Sequence, residues 1–439
     1  MTARTAGTQY DAAVSTLTAG AAAPPADSLR ADATVMGLVG LAHGFSHFNQ
    51  LLLPPLFPFL KAEFGASYTE LGVLLTIFFV TSCAVQAISG FAVDRWSPRP
   101  VLFAGLGLLS IAAFGFATAP SYWALAGWAV VAGIGNGVFH PVDYTLLNRK
   151  IGERRLGHAF SVHGITGSLG WGAAPAVLVP LALAFGWRTA LVAAGAVGVA
   201  IVAVLWWQRR HLALEMQAVA KTLNAQARAA AVADARGEGA FAFLAIPAVW
   251  VCFLFFFLYA CVISGVQAFA PESARLLHGI PTALAALCLT VYMVAAACGM
   301  VVGGFLAADP ARAERIVAVG FVAAAAVALV VALVPVPAPA VFVPGLFGLM
   351  GLVTGTAGPS RDLIVKRAAP PNATGRVYGV VYSGLDIGQA LAPLVFGALL
   401  DANHPSGVWL AIAAVQTLLV ASAFNVRKAR RTIAAPAAA

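Results

Sequence analysis

Charge is what this chain has least of. Asp, Glu, Lys and Arg make up 10% of 439 residues against 61% hydrophobic ones, and the mean hydropathy is +0.88. Soluble domains carry charge on about a quarter of their residues, so a water-soluble globule is excluded. Cysteine is scarce as well. The five (Cys83, Cys252, Cys261, Cys288 and Cys298) stand in apolar runs with no CxxC pair, so they read as small core hydrophobes and offer neither a disulfide framework nor a metal site. No GxxxxGK[ST] loop occurs, and direct use of ATP is therefore not expected. Residues 1–32 lack the apolar stretch of a signal peptide; they are rich in Ala, Thr and Pro and are expected to form a disordered cytoplasmic tail.

What remains is helix-length apolar sequence. Runs of about 20 residues separated by short polar turns fit membrane-spanning helices and not the alternating ten-residue strands of a barrel. Twelve are expected, at 33–59, 69–94, 100–119, 121–148, 157–185, 188–208, 243–270, 281–307, 314–334, 338–366, 375–401 and 407–426. The formal charge of +9 would point to nucleic acid in a soluble protein, but its placement gives a better account. Of 26 Lys and Arg, only Lys61, Arg188 and Arg275 fall in loops on one side, and the positive-inside rule puts both termini in the cytoplasm. The expected layout is a six-helix bundle at 33–208, a basic cytoplasmic linker at 209–240, a second bundle at 241–426 and a cytoplasmic tail at 427–439. Within the linker, Leu212, Met216, Val219 and Leu223 make one apolar stripe suited to the membrane surface, or the segment is a plain Ala-rich tether.

The two halves repeat. Sliding the sequence by 218 positions pairs Gly133 with Gly351, Gly137 with Gly355, Pro141 with Pro359, Arg149 with Arg367, Gly157 with Gly375, Gly170 with Gly388 and Pro175 with Pro393. A repeat half a chain long excludes solenoids and propellers and is the mark of a transporter. Because glycine and proline are what recur, the halves share bends and close helix contacts more than side-chain chemistry.

After the second helix stand Gly90, Asp94, Arg95 and Arg99, as Gly-x-x-x-Asp-Arg-x-x-x-Arg. With the six-plus-six layout this resembles the signature loop of the major facilitator superfamily, departing from it at Ser97 and Pro98, where a Gly and a basic residue are more common. A second copy, Gly304 to Asp309, is degraded. Phe185-Gly186-Trp187-Arg188 is a further turn often seen there. Two stretches, His43 to Leu60 (HGFSHFNQLLLPPLFPFL) and Gly133 to Pro141 (GIGNGVFHP), resemble the fosmidomycin-resistance branch. In that branch an acid commonly follows the His-Pro directly; here Val142 does, and Asp143 comes one later, about 100° further round the helix. The resemblance implies an all-α membrane protein of twelve helices in two bundles related by a pseudo-twofold axis. It also implies a gating loop at Gly90, Asp94, Arg95 and Arg99 that meets the opposite bundle.

An ionisable group at membrane depth is costly and marks a functional candidate. His43 and His47, four apart on the first helix and near mid-depth, are candidates for proton handling or substrate binding, or are a hydrogen-bonded structural pair. Asp386 lies near mid-depth of the eleventh helix, with no basic residue near it in sequence, and its repeat partner is Ser168. A carboxylate there is suited to taking up a proton, or is a structural acid. Asn49, Asn136 and Gln389 complete this polar set. His140, Asp143 and His163, with Arg361 and Asp362 in the matching part of the tenth helix, are expected as an inner cluster that holds the halves together, or as solvated helix ends.

The reading is a proton-coupled secondary transporter of the bacterial inner membrane that exports a small polar or anionic compound by alternating access, functional as a monomer and without cofactor or metal. Import of a metabolite or siderophore is the alternative within that class. A membrane metalloenzyme is the alternative outside it, but His43-Gly-Phe-Ser-His47 lacks the Glu of HExxH. A non-transporting receptor on the same scaffold is the last.

Overall fold

The computed structural model describes residues 29–214, 247–307, 312–334, 339–368 and 374–434. Among these every regular element is helical. Large apolar side chains face outward, Trp123, Trp207 and Phe305 each being 79% exposed, which is stable only against lipid. Among the described residues, eleven helices are long and apolar enough to cross a membrane. The twelfth is the first of the chain, α1 (Leu29–Gln50), where His43, Ser46, His47, Asn49 and Gln50 dilute the apolar run.

The first half continues with α2 (Phe57–Phe64), α3 (Tyr68–Trp96), α4 (Pro98–Thr118), α5 (Tyr122–Asn136), α6 (Phe139–Lys150), α7 (Glu153–Phe185) and α8 (Trp187–Trp207). The second contains α9 (Pro247–Ser264), a π-turn (Gly265–Phe269), α10 (Ala270–His278), α11 (Thr282–Leu306), α12 (Ala313–Leu333), α13 (Pro339–Ala368), α14 (Thr374–Asp401) and α15 (Pro405–Ala434). A short 3₁₀ turn at Arg209–Leu212 follows α8; Met216, Val219, Leu223 and Asp309 lie outside the described residues, as does most of the first 32.

Three expected spans are interrupted. The run at 33–59 stops at Gln50 because Pro54 and Pro55 supply no N–H to the preceding turn, and it resumes as a 3₁₀ turn and α2. The run at 121–148 breaks between α5 and α6: Pro141 cannot donate to the Gly137 carbonyl, and the Ser89 hydroxyl of α3 takes that carbonyl instead at 3.3 Å. The run at 243–270 passes through the π-turn and extends to His278. Helix also begins earlier and ends later than expected, α1 at Leu29 and α15 at Ala434.

Local signals set the ends. Ser67 and Glu70 form a reciprocal capping box at the start of α3. Gly186, at φ +86°, turns α7 into α8 in a conformation open to glycine, and the neighbouring Arg188 bonds Glu63 at 2.8 Å and the Ala119 carbonyl at 3.3 Å.

The repeated glycines lie where backbones meet. A Cβ on Gly133 would stand 2.6 Å from the Phe78 carbonyl oxygen, and one on its counterpart Gly351 would run into that of Tyr292. Gly170 likewise abuts Gly44 across α7 and α1, as Gly388 abuts Phe257 across α14 and α9.

The two bundles meet along α3 against α14 and α7 against α11. There Thr76 donates to the Ala390 carbonyl at 2.6 Å and Thr290 to the Gly172 carbonyl at 3.0 Å. At the Tyr68 end, Asp401 accepts from the Tyr68 and Thr69 amides, each at 2.8 Å, and from the Thr69 hydroxyl at 2.6 Å. Tyr68 also bonds Glu272, which Arg275 grips through two nitrogens at 2.7 and 2.8 Å. A depression of about 600 Å³ lies over this closure, lined by Lys61, Tyr68, Glu272, Arg275 and Asp401.

Candidate functional site

Four histidines and one acid gather where α1, α6 and α7 pack. The Gly44–Gly170 contact brings α1 and α7 close enough for His43 and His163 to stack, ring centroids 3.5 Å apart. Asp143 of α6, fully buried, accepts on Oδ2 from His43 Nδ1 at 2.9 Å and from His163 Nε2 at 3.1 Å. His140 lies one turn from Asp143, its ring 5.5 Å from that of His43. His47 lies tilted 4.2 Å from His43 on one side and stacks 4.2 Å from Trp171 on the other.

Sequence reasoning divides these residues into a mid-depth pair and an inner cluster. The structure brings them into one group. The partners of Asp143 belong to the first bundle, so the contacts seen tie α1, α6 and α7 together and not the two halves. A buried carboxylate against two imidazoles can hold, share or release protons, and three imidazoles at one point can also act as nitrogen donors to a cation.

A polar chain runs on from the histidines. Trp171 Nε1 donates to Gln50 Oε1 at 3.0 Å, Gln50 Nε2 to Asn136 Oδ1 at 3.3 Å, and Asn136 Nδ2 to Ser82 Oγ at 2.8 Å. It joins α7, α1, α5 and α3 and so satisfies amides buried at membrane depth. Asn136 is thus part of it, whereas Asn49 folds back onto the Phe45 carbonyl of its own helix at 2.9 Å. Gln50 and Trp171 were missed. Gln50 had a signal, standing three residues after His47 and seven after His43 on the same helical face.

Asp386 occupies a separate position on α14. Its Oδ2 accepts from Gln86 Nε2 of α3 at 3.3 Å, and the Cys83 thiol faces it. The acid of the second bundle therefore touches the first bundle directly. Gln389, half-buried, lies one turn further along α14. Arg361 packs inside its own bundle, its guanidinium 4.2 Å over the Tyr259 ring; the Asp362 side chain lies outside the described residues.

At the opposite end of α3, Arg95 is exposed and Asp94 half-buried, and Arg99 Nη1 donates to the Arg209 carbonyl at 3.5 Å. A Cβ at Gly90 would meet nothing within 4 Å. Ser97 has φ +74° and ψ +152°, a region that only glycine occupies without strain.

The sequence profile of the Major Facilitator Superfamily matches residues 39–393. The uncharacterized MFS-type transporter YfnC of Bacillus subtilis (strain 168) is 30% identical over 183 residues, 40% of this chain and 44% of its own. The Fosmidomycin resistance protein of Escherichia coli (strain K12) is 27% identical over 173 residues, 38% of this chain and 41% of its own. The matched stretch thus spans less than half of either relative. The crystal structure of a bacterial homolog to the human lysosomal transporter Spinster, in an inward-facing and occupied conformation, superposes with a TM-score of 0.68 at 17% identity. It covers 92% of this chain and 98% of that one.

Proposed function

This chain belongs to the Major Facilitator Superfamily, and on that premise we propose that it is a secondary active transporter moving a small solute across a membrane by alternating access. The observation that carries the reading is the pairing of Asp386 with Gln86. A protonatable acid of one bundle is hydrogen-bonded to the other bundle at mid-depth, so a change in its protonation changes the contact that separating bundles must break. Asp386 is the coupling residue in this reading.

The proposed direction is export of a small polar or anionic compound in exchange for protons, following the relative whose name is fosmidomycin resistance. Import by symport is the second reading, because the same acid serves either direction. The proposed setting is a bacterial inner membrane with both termini cytoplasmic, an orientation that the scarcity of Lys and Arg on the side of Lys61, Arg188 and Arg275 supports, and the proposed unit is a monomer.

The test has two stages. Purified protein is first screened for thermal stabilisation by fosmidomycin, other phosphonates, sulfonates and sugar acids at two pH values. A stabilising compound is then followed in proteoliposomes under an imposed pH gradient, with internal pH read by a trapped dye. The reading expects accumulation that depends on the gradient and a matching proton flux. Solute movement that ignores the gradient, with no change in internal pH, would refute proton coupling.

A further inference from the structure

Three imidazoles from three different helices converge on one point. His43 of α1, His140 of α6 and His163 of α7 each present a ring nitrogen, and the three atoms lie within 4.8 Å of one another. A tetrahedral cation with bonds of about 2.0–2.1 Å to nitrogen needs its donors about 3.4 Å apart. His43 and His163, stacked at 3.5 Å, must turn apart for both lone pairs to point at one ion, and that turn also sets the spacing.

Asp143 is the second part of the argument. Its Oδ2 already bonds one nitrogen of His43 and one of His163. A carboxylate that fixes the proton on one ring nitrogen leaves the other nitrogen's lone pair for a metal, the usual arrangement behind histidine ligands. Its Oδ1 and His140 Nδ1 are buried with no hydrogen-bond partner. Unpaired polar atoms at membrane depth are costly, and a bound cation would give these two, one turn apart on α6, a partner.

We infer that His43, His140 and His163, backed by Asp143, bind one divalent transition-metal cation of the Zn²⁺, Co²⁺ or Ni²⁺ class. The donor set decides the class. Three imidazoles and a carboxylate without thiolate or thioether do not select Cu(I), and a nitrogen-dominated set does not suit Mg²⁺ or Ca²⁺. Access is short: Tyr144, 43% exposed, stacks 5.9 Å from His140 and lies 5.3 Å from His163, so the donors sit one ring below the surface. The sequence offered no such site because no two of the three histidines share a helix.

The full chain, carrying no polyhistidine tag and stripped by chelator, is titrated in detergent with Co²⁺, and binding is followed by visible absorption. Zn²⁺ is then added as competitor. The expected result is saturation at about one equivalent, with the strong bands of low-coordinate cobalt and their loss on adding Zn²⁺. His140→Ala leaves both Asp143 hydrogen bonds in place and should weaken binding by at least about 100-fold, with the metal-free thermal midpoint unchanged. His278→Ala, remote on α10 and bonded to the Val331 carbonyl at 3.1 Å, should bind as the parent does. Stripped, folded protein that takes up neither Co²⁺ nor Zn²⁺ saturably would overturn the inference, as would His140→Ala binding as tightly as the parent. No transport is measured, so the result is independent of the function proposed above.

Discussion

The Thr76 hydroxyl reaches across from one bundle to the Ala390 carbonyl of the other at 2.6 Å, and the same bond is made again in the opposite sense by Thr290 and Gly172 at 3.0 Å. Gly172 and Ala390 are 218 positions apart, the spacing of the sequence repeat, and the two threonines are 214 apart. Each threonine also bonds its own helix, Thr76 to Gly72 and Thr290 to Ala286. The two contacts share repeat-related acceptors, with their donors one helical turn out of register. Thr76→Val and Thr290→Val should each weaken the conformation seen here by about 0.6 kcal/mol, the usual size of such a bond between membrane helices. The two effects should add, since the residues share no partner. Spin-label distances across the bundles would show the population moving stepwise; an unchanged distribution in the double variant would mean that the bonds do not bear on the equilibrium.

Asp386→Asn should keep solute binding and exchange but abolish accumulation driven by a proton gradient, because the amide copies the neutral acid and cannot be ionised. Gln86→Ala, which removes the cross-bundle contact of Asp386, should keep solute binding and weaken coupling, with its pH range shifted. Simultaneous solute and proton fluxes in proteoliposomes separate the two. Normal uphill transport by Asp386→Asn would make that acid structural.

Ser97→Gly should stabilise the protein. The serine is held at φ +74° just before Pro98, a conformation that costs a residue with a side chain about 1–3 kcal/mol. The thermal midpoint in detergent should rise for glycine and fall for Ser97→Val. Equal midpoints for all three would show that the turn relaxes.

Gly170→Ala should damage the protein where Gly164→Ala does not. A methyl group on Gly170 runs into the Gly44 carbonyl, while one on Gly164 meets nothing within 4 Å. Forcing α1 from α7 should cost about 1–3 kcal/mol and pull His43 from His163. Folded yield after size exclusion is the readout.

Orientation can be read with two cysteines placed in a cysteine-free background. Asn403→Cys, exposed beyond α14, should react with an impermeant reagent added to intact cells, and Arg154→Cys, exposed near the start of α7, should not. The reverse pattern would turn the molecule over.

The spans were legible because lipid demands about 20 apolar residues of each, whatever they pack against. The breaks at Pro54 and before Pro141 were legible in principle, since proline removes a known donor. The gathering of His43 with Asp143 and His163 was not. Depth along each helix follows from counting residues, but which faces meet depends on the rotation of α1 against α6 and α7, and contacts such as Gly44 against Gly170 set that rotation. The same limit hid Gln86, whose importance comes wholly from standing opposite Asp386. In contrast, the departure at Ser97 was visible as an unusual residue, and its meaning came only with the backbone angle.

The join between α5 and α6 has a mechanical consequence. With the Gly137 carbonyl already held by Ser89, bending there leaves that carbonyl paired, so the wall has a joint whose freed group is already satisfied. Beyond it α6 is a stiff arm of 12 residues, about 18 Å long. A tilt of about 10° would swing its far end by about 3 Å and displace His140 and Asp143, near the pivot, by only a fraction of that. The arm can therefore work as a lever whose short side carries the chemistry.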